Sequence, residues 1–124
     1  GGAHYGIDFT HQTRGEIKGA NIYAPKDGMQ VVTATTGTTG FGNYVTLFDS
    51  KTQTYHIFGH MNEEPLVNVG DIVTTETVLG HVGTSGNSSG YHLHWEIRYQ
   101  TNSSSYSFNP ISNATLNTWY YRNK

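Results

Sequence analysis

Histidine is the residue with the greatest chemical potential in this chain, which holds seven copies and no cysteine. Its imidazole binds metals and exchanges protons near neutral pH. In the segment 92–97, His-Leu-His-Trp-Glu-Ile, alternate residues of a strand point to one face, so His92, His94 and Glu96 would form a polar row. This row is either a reactive face or a solvent-facing strand surface.

A second candidate lies near the beginning of the chain, where His4 precedes Asp8 by four residues. That spacing brings two side chains to one face of a helix and also of a strand. Two imidazole nitrogens and one carboxylate oxygen suit Zn²⁺ and leave a fourth position for water, as catalytic zinc sites require. His4, Asp8 and His94 (or His92) would supply that set; alternatively, Asp8 caps a turn and His4 lies at the surface.

A third candidate is His60, which follows a glycine at the end of an aromatic strand, in Phe-Gly-His-Met at 58–61. A histidine there can reach into a groove as a general base or stabilise an oxyanion, although it could equally be a structural loop histidine. His56 would share its face on a regular strand. His11 and His81 have no evident partner, and we expect both to be structural or surface residues.

The elements that must position these residues are predicted to be short strands. Apolar stretches are rich in β-branched and aromatic residues and are bounded by Gly, Asn, Asp or Ser. We expect a mostly β, small antiparallel β-sheet structure with at most one short C-terminal helix, at 112–120. The predicted strands are 29–35, 44–48, 54–61, 71–73, 78–82 and 92–99.

Composition excludes several other classes of protein. The 124 residues predict a single domain over 1–124, and the 13% aromatic share argues against disorder. A net charge of −2 gives no basic excess for nucleic acid, and no apolar run approaches the length of a membrane span. Because the chain begins with Gly1 and has no leader, we expect a domain excised from a longer protein.

The three histidine segments occur in order with glycine-rich and Asn-Pro segments around them. Together they resemble the lysostaphin-type, or LytM-like, zinc endopeptidases, a family of peptidoglycan hydrolases. The departures from the family pattern, at Met61, 75–77 and Tyr91, remove no ionisable group. The segments that carry the resemblance are 4–8, 24–32, 40–45, 58–61, 69–73, 79–86, 88–96 and 109–110.

The resemblance implies that His4, Asp8 and His94 are zinc ligands and that His60 and His92 are the catalytic histidines. Zinc would polarise the scissile carbonyl and lower the pKa of its water. One catalytic histidine would take the water proton and the other would hydrogen-bond the oxyanion, with the two roles unassigned. Glu96 would either orient an imidazole or be an exposed charge. The family fold is a small β structure whose groove would be walled here by loops 11–19, 35–43, 84–91 and 101–108.

The substrate implied is a peptidoglycan peptide, either a stem or a cross-bridge. We expect a monomeric, bacteriolytic hydrolase domain that is extracellular or cell-wall-facing, either secreted or part of a phage particle. The alternative is a catalytically silent wall-binding or regulatory module on the same fold, and retention of all five polar site residues argues against it. A third hypothesis, a lectin-like β module, predicts no stoichiometric zinc.

Overall fold

A computed structural model describes residues 7–9, 19–86 and 93–98 of the chain. Within these residues every regular element is a strand, which confirms the mostly β prediction, and there is no helix that could cross a membrane. The predicted helix at 112–120 lies outside the described residues. The strands are β1 (Ile7–Phe9), β2 (Asn21–Tyr23), β3 (Met29–Thr35), β4 (Asn43–Asp49), β5 (Thr54–Met61), β6 (Ile72–Val73), β7 (Val78–His81) and β8 (Leu93–Arg98).

The strands form two antiparallel sheets. Six of them make one sheet in the order β1-β8-β5-β4-β3-β6, and β2 pairs with β7 in a second sheet. All six predicted strands are present, and over the described residues their bounds differ from the predicted ones by at most one residue. Strands β1 and β2 were not predicted, and each is only three residues long. Because β8 lies between β1 and β5, residues from three distant parts of the chain lie side by side there.

The core lies on one face of the large sheet and is centred on two stacked aromatic rings. Trp95 of β8 and Phe58 of β5 face each other across the strand pair, with ring centroids 5.5 Å apart. Strand β8 alternates as the sequence predicts, with Leu93, Trp95 and Ile97 buried on one face. Its other face is polar but is buried as well. The polar row is therefore covered by protein, and its side chains require partners.

A β-bulge near the end of β5 changes which face its residues occupy. Asn43 of β4 lies opposite Met61 and Val45 lies opposite Phe58, so three steps along β5 match two along β4. His60 has a φ of 60°, in the left-handed region. Since an extra residue reverses the alternation of a strand, His60 moves to the face opposite that of His56. The expectation that these two histidines share a face is therefore wrong.

Candidate functional site

Strand β8 places His94 between two neighbouring strands. In the register of β1 with β8, Asp8 lies directly opposite His94, and in the register of β5 with β8, Gly59 lies opposite it. Opposite residues of an antiparallel pair occupy the same face, so these three positions share one face of the sheet. His4 and His92 lie outside the described residues. The predicted convergence of Asp8 and His94 on one region is therefore supported by the backbone register.

His60 is the second imidazole of the site. Its ring centroid lies 5.9 Å from that of His94, with the two rings nearly edge to face. Both side chains are buried, and the β-bulge brings them together. Gly59 leaves room for the Phe41 ring, because a Cβ there would lie 3.1 Å from a carbon of that ring. The pairing of a predicted catalytic histidine with a predicted zinc ligand is thus present in the described part of the chain.

The orientation of His60 is set by two backbone groups. Its Nδ1 lies 2.7 Å from the carbonyl oxygen of Ser85, and its backbone N–H donates to the carbonyl of Phe41 at 2.7 Å. A carbonyl oxygen only accepts, so Nδ1 must carry the hydrogen. In the neutral imidazole, Nε2 is then the atom that can accept a proton.

Two loops meet beside His60 and fix the Ser85 carbonyl. The Ser85 hydroxyl donates to the carbonyl of Met61 at 2.6 Å and accepts the Asn43 backbone N–H at 3.0 Å. Gly42 and Gly86 both have positive φ, and a Cβ on Gly86 would lie 2.4 Å from the Gly42 nitrogen. Parts of two expected groove walls, 35–43 and 84–91, are therefore in direct contact. The segments 11–18, 87–91 and 101–108 lie outside the described residues.

Glu96 is a buried partner of His94, so the alternative of an exposed strand-end charge is wrong. The residue is 2% exposed, and its Oε1 lies 2.9 Å from Nε2 of His94. Its other oxygen accepts a hydrogen bond from Nε of Arg98. Sequence reasoning missed Arg98, although extending the strand alternation by one more step would have added it to the polar row.

Phe41 was also missed as an individual residue, because the sequence marked it only as part of a glycine-rich segment. Its ring stacks on that of His94, with centroids 5.7 Å apart and an interplanar angle of 26°. The guanidinium carbon of Arg98 lies 5.5 Å from the centroid of the same ring. The loop before β4 therefore covers one side of the His94 ring.

His56 lies behind the site, on the core face, and plays a different part. The indole N–H of Trp95 donates to its Nδ1 at 3.2 Å, and its Nε2 lies 3.4 Å from the Thr54 hydroxyl. Burial lowers the pKa of His56 to about 4; Lys26 contributes to the decrease and Asp49 opposes it. His56 is therefore a neutral core residue at physiological pH.

His81, the other histidine assigned to the surface, is partly exposed. Its Nδ1 lies 2.7 Å from Oε1 of Glu63, and His81 belongs to β7 of the two-stranded sheet, whereas His60 and His94 belong to the six-stranded sheet. Like His94 and Glu96, His81 and Glu63 are a histidine and a carboxylate in contact, but their position is open to solvent. His11 lies outside the described residues.

The predicted ligands, two imidazoles and one carboxylate, are donor types that suit a zinc ion. The described residues contain no complete group of three His, Asp or Glu side chains able to hold a metal. Of the three predicted ligands, His4 lies outside the described residues. Asp8 and His94 lie opposite each other on the paired strands β1 and β8. With Nε2 of His94 directed to a carboxylate, Nδ1 is the ring nitrogen suited to coordination, an arrangement common among metal-binding histidines.

The fold of this chain is similar to those of solved peptidase structures. The catalytic domain of the antimicrobial peptidase lysostaphin from Staphylococcus simulans matches with a TM-score of 0.73 and 28% identity, over 86% of this chain and 75% of that one. A mutant catalytic domain of the prophage-encoded M23 protein EnpA from Enterococcus faecalis matches with a TM-score of 0.72 and 27% identity, over 91% and 80%.

A zinc-containing peptidase from Vibrio cholerae matches with a TM-score of 0.61 and 26% identity, covering 74% of this chain and 26% of that one. The model of peptidase family M23 matches residues 2–106. That span contains all five predicted site residues and both sheets. The resemblance to lysostaphin-type peptidases is confirmed, and the chain belongs to peptidase family M23.

Proposed function

We propose that the chain is a zinc-dependent endopeptidase that hydrolyses peptide bonds in the stems or cross-bridges of bacterial peptidoglycan. The observation that carries the proposal is the meeting of His60 and His94, with ring centroids 5.9 Å apart, on the face that Asp8 shares. A strained β-bulge is needed to bring them together, and such strain is typical of functional sites. Membership of a peptidase family supports the same reaction class.

His4, Asp8 and His94 would hold the zinc ion. The register of β1 with β8 supports the pairing of the last two, and the hydrogen bond from His94 to Glu96 supports coordination through Nδ1. When bound, zinc lowers the pKa of water and polarises a carbonyl oxygen.

His60 and His92 would perform the proton transfers. Since the Ser85 carbonyl holds Nδ1–H of His60, its Nε2 is the atom proposed to take a proton from the attacking water. His92, two residues before His94, is then assigned to the oxyanion and to the departing amine. The sequence left open which of the two histidines has which role, and this proposal assigns one role to each.

The proposed setting is outside the cytoplasm, with a peptidoglycan peptide as substrate. We propose that residues 1–124 act as a monomeric catalytic domain, secreted or carried by a phage particle. The likeness to an antimicrobial peptidase and to a prophage-encoded M23 protein supports this setting.

Paired measurements of zinc content and cleavage rate test the proposal. Purified protein should carry about one zinc per chain and clear a cell-wall suspension, and a chelator should abolish the clearing. A silent wall-binding module would bind walls without clearing them. Clearing that persists in excess chelator would refute the zinc mechanism.

Substitutions separate the ligands from the catalytic histidines. His4→Ala and His94→Ala should lose zinc and activity together. His60→Ala and His92→Ala should keep zinc and lose on the order of 10²-fold in turnover, the size typical of a positioned acid–base group. His81→Ala is the control and should be silent. Full activity in His60→Ala would exclude the proposed role of that histidine.

A further inference from the structure

We propose that Glu96 is a positioning residue that, with Arg98 and Phe41, fixes the tautomer and the ring plane of His94 before the metal arrives. The proposal rests on the proposed zinc site, because it assigns the atom through which His94 binds. Glu96 and Phe41 contact the His94 ring directly, and Arg98 contacts both of them.

The first contact selects the tautomer. Nε2 of His94 lies 2.9 Å from Oε1 of Glu96, and both residues are on the same face of β8. A carboxylate paired with a guanidinium offers only acceptor atoms, so the hydrogen of the neutral ring belongs on Nε2. Nδ1 then carries the lone pair for the metal. Carboxylates behind metal-binding histidines act in this way.

The second contact holds the carboxylate. Glu96 is almost fully buried, and a buried charge without a partner is strongly destabilising. Arg98 supplies the partner, since its Nε donates to Oε2 while Oε1 faces His94. With its two oxygens engaged by different side chains, the carboxylate is held against rotation.

The third contact covers the face of the ring. Phe41 stacks on His94 at 5.7 Å, and the Arg98 guanidinium lies over the same phenyl ring at 5.5 Å. His94, Glu96, Arg98 and Phe41 therefore form a closed circle of contacts. Glu96 restrains His94 within its plane and Phe41 restrains it from the side, so the ring is oriented by protein contacts alone.

Two readouts on the full chain test this arrangement. Long-range ¹⁵N–¹H spectra of the zinc-free protein at neutral pH report which nitrogen of His94 carries the hydrogen. Competition with a chromophoric chelator gives the dissociation constant for zinc. The variants are Glu96→Ala and the milder Glu96→Gln, whose amide oxygen still accepts from Nε2. The matched control is Glu63→Ala, which removes the same type of partner from His81 at the surface.

We expect wild-type His94 to be the Nε2–H tautomer without zinc. Glu96→Ala should give a mixture of tautomers and weaken zinc binding by about 10- to 100-fold, the usual effect of losing such a partner. Glu96→Gln should give a smaller loss and decides the question if Glu96→Ala does not fold. Glu63→Ala should match the wild type in both readouts.

Two results would overturn the proposal: a wild-type His94 that carries its hydrogen on Nδ1, or Glu96 variants with the wild-type tautomer and zinc affinity. Failure of the proposed function gives a different result. A wild-type chain that binds no zinc would refute the zinc site, while the spectra of the metal-free protein would still show whether Glu96 sets the His94 tautomer.

Discussion

The stability of the fold should decrease as the pH falls from 7 to 5, and His56 should be the main cause. Burial lowers its pKa to about 4 from an ordinary value of 6.5, so the folded chain holds it neutral where the unfolded chain protonates it. A depressed histidine pKa contributes stability that is present above the unfolded value and is lost as the pH falls toward the folded value. Protonation of Nδ1 would also remove the acceptor of the Trp95 indole N–H.

The size of the effect follows from proton linkage. With pKa values of about 4 folded and 6.5 unfolded, the free energy of unfolding should fall by about 2 kcal/mol between pH 7 and pH 5. His56→Gln keeps an acceptor for the indole but cannot titrate. This variant should lose almost none of its free energy of unfolding over the same range, apart from what other groups contribute to both proteins.

Urea unfolding, followed by tryptophan fluorescence with zinc in constant excess, measures this difference. Trp95 reports on the core because it is fully buried there. His81→Gln controls for the substitution itself and should retain the loss that depends on His56. Equal losses of stability in wild type and His56→Gln would refute the reasoning, as would an NMR titration of His56 with a pKa near 6.5.

Three further predictions concern the metal, the loop junction and the acid limit of stability. Chelation should abolish activity but leave most of the β-type circular dichroism, since the sheet has its own apolar core and the proposed zinc ion need not nucleate the fold. Complete unfolding would indicate a structural site. Gly86→Ala should cost about 2 kcal/mol in urea unfolding and lower turnover, because a Cβ there collides with the Gly42 backbone next to the carbonyl that holds His60. Gly28→Ala, with positive φ but open space, should keep full turnover, and equal loss in both would exclude the junction as the cause. Burial favours the neutral form of Asp49, but hydrogen bonds from Lys26, Thr52 and the Lys51 backbone outweigh this effect and lower the pKa of Asp49 to about 2. The ionised carboxylate therefore contributes to the free energy of unfolding above pH 4, and this contribution should be lost as the pH falls toward 2. Lys26→Met should weaken that contribution by at most about 1 kcal/mol, because Lys26 is half exposed, and an unchanged acid-unfolding curve would exclude the pair.

Much of the large sheet could be predicted because four of its strands, β3, β4, β5 and β8, have six or more residues and so span several periods of alternation. Strand β5 is bounded by turn residues and is rich in aromatic side chains, so local pattern alone identifies it. Strands β1 and β2 have three residues each, too few for a periodic signal. They exist as strands because β8 and β7 offer them partners distant in sequence. Such pairing is a property of the assembled sheet and leaves little trace in the local sequence.

The sequence predicted which residue types belong to the candidate site, but not which face of the sheet each of them occupies. Strict alternation put His56 with His60, and one extra residue in the bulge sent them to opposite faces. The left-handed backbone of His60 is maintained by contacts from other parts of the chain, through the Phe41 and Ser85 carbonyls. A pattern read along β5 cannot contain them. The bulge therefore separates a neutral core histidine from one placed beside His94, the proposed metal ligand.

The burial of the polar row, His94 and Glu96, likewise depends on contacts from a distant part of the chain. Alternation along β8 correctly grouped His94 with Glu96, and the open question was whether that face meets solvent. The answer depends on Phe41, which a loop more than fifty residues earlier brings over the ring of His94. Once covered, a carboxylate on this face is stable only if its charge is paired, and Arg98 at the next alternate position satisfies that requirement. The glycine-rich loop and the alternation of one strand thus jointly determine how His94 is held.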